Sequence, residues 1–256
     1  MVIPRVVDRA EMIALIDGDI VAYRCSAACE NESLEIALVR TYDMMQNILD
    51  ETGAESYKCF LSGNNNFRYT INPDYKQNRK DKVDPIYRQA CKDFLVSDWN
   101  AIVCDGYEAD DALAMEQCGN IAMIKANWEG EFSPAPDTII CSIDKDLLQV
   151  PGKHYNFVKK EFCAISEVEG LRNFYKQMLI GDAADNIFGI KGIGKIRAAN
   201  LIDHLETEES MRYEVEQLYW DEPTGSLETR FWMNADCLWL MRKEGEMYSK
   251  RKDSMD

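Results

Sequence analysis

Short apolar segments of this chain run straight into acidic residues. Met12-Ile13-Ala14-Leu15-Ile16 leads into Asp17, Thr138-Ile139-Ile140-Cys141-Ser142-Ile143 into Asp144 and Asp146, and Ala101-Ile102-Val103-Cys104 into a stretch that carries Glu108, Asp110 and Asp111. Apolar runs this short, without polar alternation, read as strands buried on both faces, and such strands belong to parallel sheets covered by helices. A further strand is expected at 57–62 and a fifth at 155–158. Leu34, Leu38, Tyr42, Met45 and Leu49 recur at steps of three and four, so 33–52 reads as an amphipathic helix that Gly53 stops; a second helix is expected over 107–118, stopped by Gly119. Strands alternating with helices predict an α/β fold with a mostly parallel central sheet flanked by helices.

Past residue 165 the pattern turns helical. Ser166-Glu167-Val168-Glu169 is a capping box. Helices are expected near 168–180, 195–205, 209–220 and 228–243, with a loop at 221–225 and a polar tail. The chain therefore divides into a core over 1–165 and a helical region over 166–256. Within the core, 75–92 changes character: Lys76, Arg79, Lys80, Lys82, Arg88 and Lys92 face only Asp81 and Asp84, and Asp84-Pro85 looks like a helix start.

Composition excludes several classes. Of 256 residues, 46% are hydrophobic, which is ample for a core and rules out wholesale disorder. No apolar run approaches the ~18 residues of a spanning helix, and the first residues lack a secretory pattern, so no membrane association and a cytoplasmic location are expected. Nine cysteines with irregular spacing read as reduced thiols, and two histidines far from any cysteine pair argue against structural zinc. The net charge of −16 argues, as a global number, against nucleic-acid binding.

The local arrangement argues otherwise. In an open parallel sheet, ligands bind outside the carboxyl ends of the strands. Asp17, Glu108, Asp110, Asp111, Asp144 and Asp146 all fall there, and Asp182 and Asp185 follow at the end of the first late helix. Any one of them alone reads as a cap or a solvated surface acid; four clusters at element ends do not. Like charges ~4 Å apart repel by a kcal/mol or more, and hard divalent cations relieve that. Carboxylate ligation without His or Cys favours Mg²⁺ or Mn²⁺, and two such ions suit phosphodiester hydrolysis.

A second device lies at 186–199. Ile190-Lys191-Gly192-Ile193-Gly194-Lys195-Ile196-Arg197 places two glycines one residue apart ahead of a helix, with three bases and no acid from 186 to 199. Backbone amides at such a turn and helix start attract phosphate. Ile187, Ile190, Ile193 and Ile196 are expected to pack the flanking helices. A plain helical hairpin is the simpler alternative; Lys195 and Arg197 favour backbone binding of nucleic acid.

In order, Ile16-Asp17-Gly18, Tyr75-Lys76-x-x-Arg79, Tyr107-Glu108-Ala109-Asp110-Asp111, Ile143-Asp144-Lys145-Asp146, Gly181-Asp182-x-x-Asp185-Asn186 and Gly189-Ile190-Lys191-Gly192-Ile193-Gly194 resemble the 5′-nuclease superfamily of flap endonucleases and 5′→3′ exonucleases. The likeness spans roughly 12–205, and the length looks most like a stand-alone bacteriophage-type enzyme. It implies a PIN-like core, a helical arch or clamp at about 67–95, and a helix-three-turn-helix (helix-hairpin-helix-like) element. It implies one Mg²⁺ at Asp17, Glu108, Asp110 and Asp111 and a second at Asp144, Asp146, Asp182 and Asp185, with Mn²⁺ able to substitute. It implies contacts to the scissile phosphate from Lys76 and Arg79, a nucleotide stacked on Tyr75, further DNA contacts from Lys80, Lys82, Lys191, Gly192, Gly194, Lys195 and Arg197, and K⁺ on the carbonyls of Ile190 and Ile193. The implied activity is metal-dependent cleavage near 5′ ends, flaps, nicks or gaps of DNA, leaving 5′-phosphate and 3′-hydroxyl, by a monomer in DNA replication with possible replication-protein contacts. RNase H-like or PIN-type cleavage of RNA or RNA/DNA hybrids, or a catalytically impaired DNA-binding paralogue, are the alternatives. One departure stands out: the family often carries an acid near Leu61-Ser62, absent here, and Asp19 is the nearest candidate to stand in.

Overall fold

The computed structural model describes residues 11–127, 137–220 and 227–254; the expected loop at 221–225 lies outside them. The chain forms β1 (Met12–Asp17), α1 (Gly18–Ala27), α2 (Leu34–Thr52), β2 (Ser56–Ser62), α3 (Arg68–Ile71), α4 (Arg88–Trp99), β3 (Ile102–Cys104), α5 (Ala109–Asn127), β4 (Asp137–Cys141), β5 (Gly152–Asn156) and β6 (Glu161–Ile165). Their sheet runs in the order β3-β2-β1-β4-β5-β6, parallel except for β6. Asp17 pairs with Phe60 and Ile16 with Cys141, so β1, β2 and β4 end together at one edge. The interior of β1 is fully buried, as its unbroken apolar run requires. Ala14 and Ile16 face α1, α2 and α4; Leu15, Phe60 and Ile140 face α5.

The helix α1 begins directly on Asp17, whose carboxylate accepts the Ile20 N–H at 3.1 Å. Gly18 makes this possible: a Cβ there would stand 2.7 Å from the Phe60 carbonyl oxygen. The first turn of α1 therefore lies against the end of β2.

The C-terminal region adds α6 (Glu167–Ile180), a short antiparallel ladder of β7 (Gly181–Asp182) and β8 (Ile187–Phe188), α7 (Lys195–Ile202), α8 (Glu208–Trp220) and α9 (Leu227–Leu238). These helices share a core built on Phe174, Tyr175, Met178, Phe231 and Trp239. The capping box at Ser166 forms as expected. Tyr75, from the basic segment, is buried in this second core and ties it to the first region.

Several expectations need correction. Gly119 does not stop α5, which continues to Asn127; one glycine costs about 1 kcal/mol in a helix interior and is tolerated. The fifth strand is Gly152–Asn156, and β6 beyond it was not expected, because its tight return uses Lys160 at φ 59° in place of a glycine. The last helix ends at Leu238, after which 239–241 turn back to the core. Between β2 and α4 the chain forms only α3 and a 3-10 turn at Gln77–Arg79, not long arch helices. Asp84 does not cap α4; it pairs with Arg88.

Candidate active site at the carboxyl edge of the sheet

The strand ends deliver the expected acids to one region. Asp17 is 2% exposed, and its Oδ2 accepts the Ser142 hydroxyl at 2.7 Å. Burial, then the charges of Asp19 and Asp144, push its carboxyl up to about 7 against the two hydrogen bonds it accepts. Asp110, in the first turn of α5, is raised well above the usual range by burial and then by Asp17, Asp144 and Glu108. Asp144 caps the following turn: its Oδ1 accepts the Asp146 N–H at 2.9 Å, and its own N–H bonds Ser142 Oγ at 3.0 Å. Burial, followed by Asp144 and Asp182, pushes Asp146 up to about 8. Asp182 is opposed by burial, but its bonds from Asp146 and from the Ala184 and Asp185 amides hold it below the usual range. The mutual influence of these groups is what several negative charges brought into one low-dielectric region produce.

The region 74–79 is clamped to the turn 183–186. The Lys76 N–H bonds the Asp185 carbonyl at 2.9 Å, Asn78 Nδ2 the Ala183 carbonyl at 2.7 Å, Arg79 Nε the Ala184 carbonyl at 2.9 Å and Asn186 Nδ2 the Asp74 carbonyl at 2.8 Å. Lys76 takes a left-handed backbone at φ 54°, a conformation that these bonds hold in place. Its ammonium bonds Glu108 and stands 3.7 Å from Asp185 Oδ2, while Arg79 Nη2 meets Asp185 Oδ1 at 2.5 Å. Burial opposes ionisation of Glu108, yet Lys76 and Arg68 win and hold it below its ordinary range. Burial keeps Asp185 raised despite Lys76 and Arg79.

Three expected roles change. Asp182 lies in β7 and Asp185 in the β7–β8 turn, not on a helix end. Tyr75 is not available to stack on a nucleotide: it is 2% exposed, and its hydroxyl lies 2.8 Å from both Glu108 Oε2 and Asp185 Oδ2. Asp111 is fully buried and receives both Nη atoms of Arg68, at 2.6 and 2.8 Å, as well as the Glu108 and Met241 N–H groups at 3.1 Å. Its oxygens are spent on these bonds, so it braces Glu108 from behind the site. Arg68 also donates to the carbonyls of Cys237 and Trp239 at 2.8 and 3.0 Å. Sequence reasoning missed Arg68; a lone arginine beside Phe67 gives no sign of burial.

Among the described residues, no three acidic, histidine or cysteine side chains enclose an ion in this arrangement; Glu108 and Asp185 face cations instead. The donor set nonetheless fits hard divalent ions. It is all oxygen, and Asp17, Asp110 and Asp146 are buried carboxyls that a nearby cation would return to the ionised form.

The missing acid near Ser62 has a local answer. Ser62 Oγ accepts the Ala109 N–H at 2.9 Å at the start of α5, and the Ser62 N–H bonds Asp19 Oδ2 at 2.7 Å. Asp19 thus brings a carboxylate to the end of β2, paired with Lys92 at 2.6 Å.

At the glycine turn, Lys191, Lys195 and Arg197 are exposed, as are Lys80 and Lys82 in the basic segment. Gly192 has φ 81°, and the Ile190 carbonyl accepts the Ile193 N–H at 3.1 Å. Ile187, Ile190 and Ile193 are buried as expected; Ile196 is not.

A parallel sheet with acids at its carboxyl edge, a basic segment clamped beside them and a glycine turn ahead of a helix together define a 5′-nuclease type of fold. Residues 12–177 match the family described as 5′-3′ exonuclease, N-terminal resolvase-like domain, and the chain belongs to that family. It is 26% identical over 231 residues to DNA polymerase I of Bacillus caldotenax, covering 80% of this chain and 25% of that protein. It is 27% identical to a 5′-3′ exonuclease of Buchnera aphidicola (71% of this chain, 66% of that protein) and 28% to flap endonuclease Xni of a Shewanella species (75% and 74%). The chain thus spans about a quarter of that polymerase relative and about two thirds of that stand-alone exonuclease. In fold it resembles the bacteriophage T5 flap endonuclease in a pseudo-enzyme–product complex with DNA and metal ions, with TM-score 0.64 and 16% identity over 91% of this chain and 89% of that one. Among the described residues no helix is long and apolar enough to cross a membrane.

Proposed function

We propose that the chain is a divalent-cation-dependent nuclease that hydrolyses phosphodiester bonds near DNA 5′ ends, as a 5′→3′ exonuclease and flap endonuclease, leaving 5′-phosphate and 3′-hydroxyl. The observation that carries this reading is the set of buried carboxyls of Asp17, Asp110 and Asp146, each with Asp144 as a charged neighbour, together with Lys76 and Arg79 held on the nearby Glu108 and Asp185. Asp17, Glu108, Asp110 and Asp144 would hold one Mg²⁺, and Asp144, Asp146, Asp182 and Asp185 the other, with Mn²⁺ able to replace either. Bound there, the ions supply an acidified water as nucleophile and neutralise the phosphate.

Lys76 Nζ and the Arg79 guanidinium sit on Glu108 and Asp185, so each is aimed at the carboxylate edge before substrate arrives. At that edge both cations are placed to compensate charge developing on the phosphate oxygens. The clamp between 74–79 and 183–186 fixes their distance from the acids. Tyr75 orients Glu108 and Asp185 rather than touching nucleotide, and Asp111 with Arg68 fixes the start of α5. The turn at 189–194 with Lys191, Lys195 and Arg197 grips the duplex backbone in helix-hairpin-helix fashion, with K⁺ on the Ile190 and Ile193 carbonyls. The DNA-bound T5 enzyme of like fold supports nucleic acid as substrate. A monomer acting in the cytoplasm on flaps, nicks and gaps during phage replication fits this activity.

The test is cleavage of 5′-labelled flapped, nicked and gapped duplexes with and without Mg²⁺. Asp144→Ala should abolish product while melting unchanged or higher in EDTA, and Lys76→Ala should lower the single-turnover rate without loss of Mn²⁺ binding. Full activity in both variants rejects the assignment. Duplex binding by wild-type protein with no Mg²⁺-dependent product would favour a non-catalytic DNA-binding role, for which the absent acid at Ser62 is the motive.

A further inference from the structure

Phe188 and Ile196 are 71% and 81% exposed, whereas Ile187, Ile190 and Ile193 between and beside them are buried. The exposure of Phe188 does not come from a loose backbone. Its carbonyl accepts Arg230 Nη2 at 3.0 Å and Asn234 Nδ2 at 2.9 Å, and in the β7–β8 ladder it pairs with Gly181. A Cβ on Gly181 would stand 2.3 Å from the Gly189 nitrogen, and one on Gly189 would stand 2.3 Å from the Leu179 carbonyl oxygen. The two glycines let this hairpin close on the end of α6, and α9 fixes it from the other side. A large apolar ring is thus presented to solvent on a rigid mount. It lies one ladder step from Asp182 and directly before the glycine turn, in a stretch with exposed Lys191, Lys195 and Arg197 and no acid from 186 to 199.

We propose that Phe188, seconded by Ile196, packs against the sugar edge of the duplex minor groove and makes the chain favour deoxyribose over ribose at that point. The inference rests on the nuclease reading above. Turn amides and cations take phosphates, and the covalent neighbour of every phosphate is a sugar. An apolar ring beside a phosphate grip therefore meets C–H edges. A 2′-hydroxyl there would lose water and find no partner on phenylalanine. Base stacking is a weaker account, because bases inside a duplex keep their faces covered by one another.

The test uses duplexes with a single ribonucleotide walked along each strand, read by fluorescence anisotropy with Ca²⁺ in place of Mg²⁺. Wild-type protein should bind about tenfold more weakly when the ribonucleotide occupies one or two adjacent positions. Phe188→Ala should erase that penalty with an unchanged melting temperature, Phe188→Leu should keep most of it, and Ile196→Ala should reduce it. The proposal is overturned if wild type penalises no position, if Phe188→Ala keeps the full penalty, or if an abasic site rather than the 2′-hydroxyl governs the Phe188→Ala effect. Affinity for all-DNA duplex separates the two readings: intact affinity with any of those results sinks only the sugar contact, and no duplex binding at all sinks both.

Discussion

Replacing Arg68 with methionine tests how the site is held together. The substitution keeps much of the side chain's apolar length and removes the guanidinium. Asp111, fully buried, then loses two charged bonds of 2.6 and 2.8 Å, and the Cys237 and Trp239 carbonyls lose theirs. Removing one partner of a buried ion pair typically costs about 3–5 kcal/mol, because the other charge stays uncompensated. For a chain of this size each kcal/mol lowers the melting temperature by roughly 2–4 °C, so a fall of about 10 °C is expected. The double variant Arg68→Met with Asp111→Leu should recover most of that loss, since an apolar pair can replace a buried ionic one at little cost. Urea unfolding of the two singles and the double gives the coupling, which should be about 2–3 kcal/mol for groups in direct contact.

The same series decides what Asp111 does. If Asp111 braces Glu108 and is not a ligand, the double variant still binds Mn²⁺ by calorimetry while its cleavage rate falls, because the Glu108 N–H loses its acceptor. If Asp111 were a ligand, the double variant would lose Mn²⁺ as well as activity. Additive effects of the two single changes, or an Arg68→Met protein as stable as wild type, would refute the strut altogether.

Two further outcomes follow from the geometry. The folded-state values of about 7 for Asp17 and about 8 for Asp146 lie above the unfolded ~3.9. Their contribution to stability is therefore present below pH ~4 and lost as pH rises through 7 and 8. Melting temperature in EDTA should fall between about pH 4 and pH 8 and level off above that, Mg²⁺ should flatten the slope, and Asp146→Asn should remove part of it; a flat profile in EDTA would contradict the burial of these groups. Gly18→Ala should cost about 1–3 kcal/mol in urea unfolding, because its Cβ would meet the Phe60 carbonyl and Cys59 Sγ at 2.7 and 2.8 Å; a neutral effect would mean that α1 does not start against β2.

The parallel sheet was legible because short apolar runs at β1 and in β4 alternate along the chain with helical periods. Asp17 and Asp144 were legible because each follows such a run at once. What sequence could not show is which acids already have partners. Asp110 and Asp111 are neighbours, yet one is raised by burial and by other acids while the other receives Arg68 from 43 residues away. Tyr75 and Lys76 are also neighbours: one is buried in the helical core, and the other takes a left-handed backbone to reach Glu108. At 186–199 the three-residue spacing of Ile187, Ile190 and Ile193 predicted burial. It failed at Ile196 because α7 starts at Lys195 and turns that position outward.

The end of β2 shows why counting acids along a family pattern misleads. At Ser62 the chain has no carboxylate, but the hydroxyl there bonds the Ala109 N–H, a role that fixes the start of the helix carrying Asp110 and Asp111. The carboxylate is supplied from two residues beyond Asp17, where Asp19 reaches the Ser62 N–H at 2.7 Å. That exchange depends on Gly18, because only a residue without Cβ lets the first turn of α1 approach β2 so closely. It also depends on Lys92, whose ammonium lies 2.6 Å from Asp19 and 3.3 Å from the Ser62 carbonyl, joining α4 to the first turn of α1 and to the end of β2. Four residues from three elements, Gly18 and Asp19 of α1, Ser62 of β2 and Lys92 of α4, therefore place one charge, and the position in the fold, rather than the position in the sequence, is what the acid occupies.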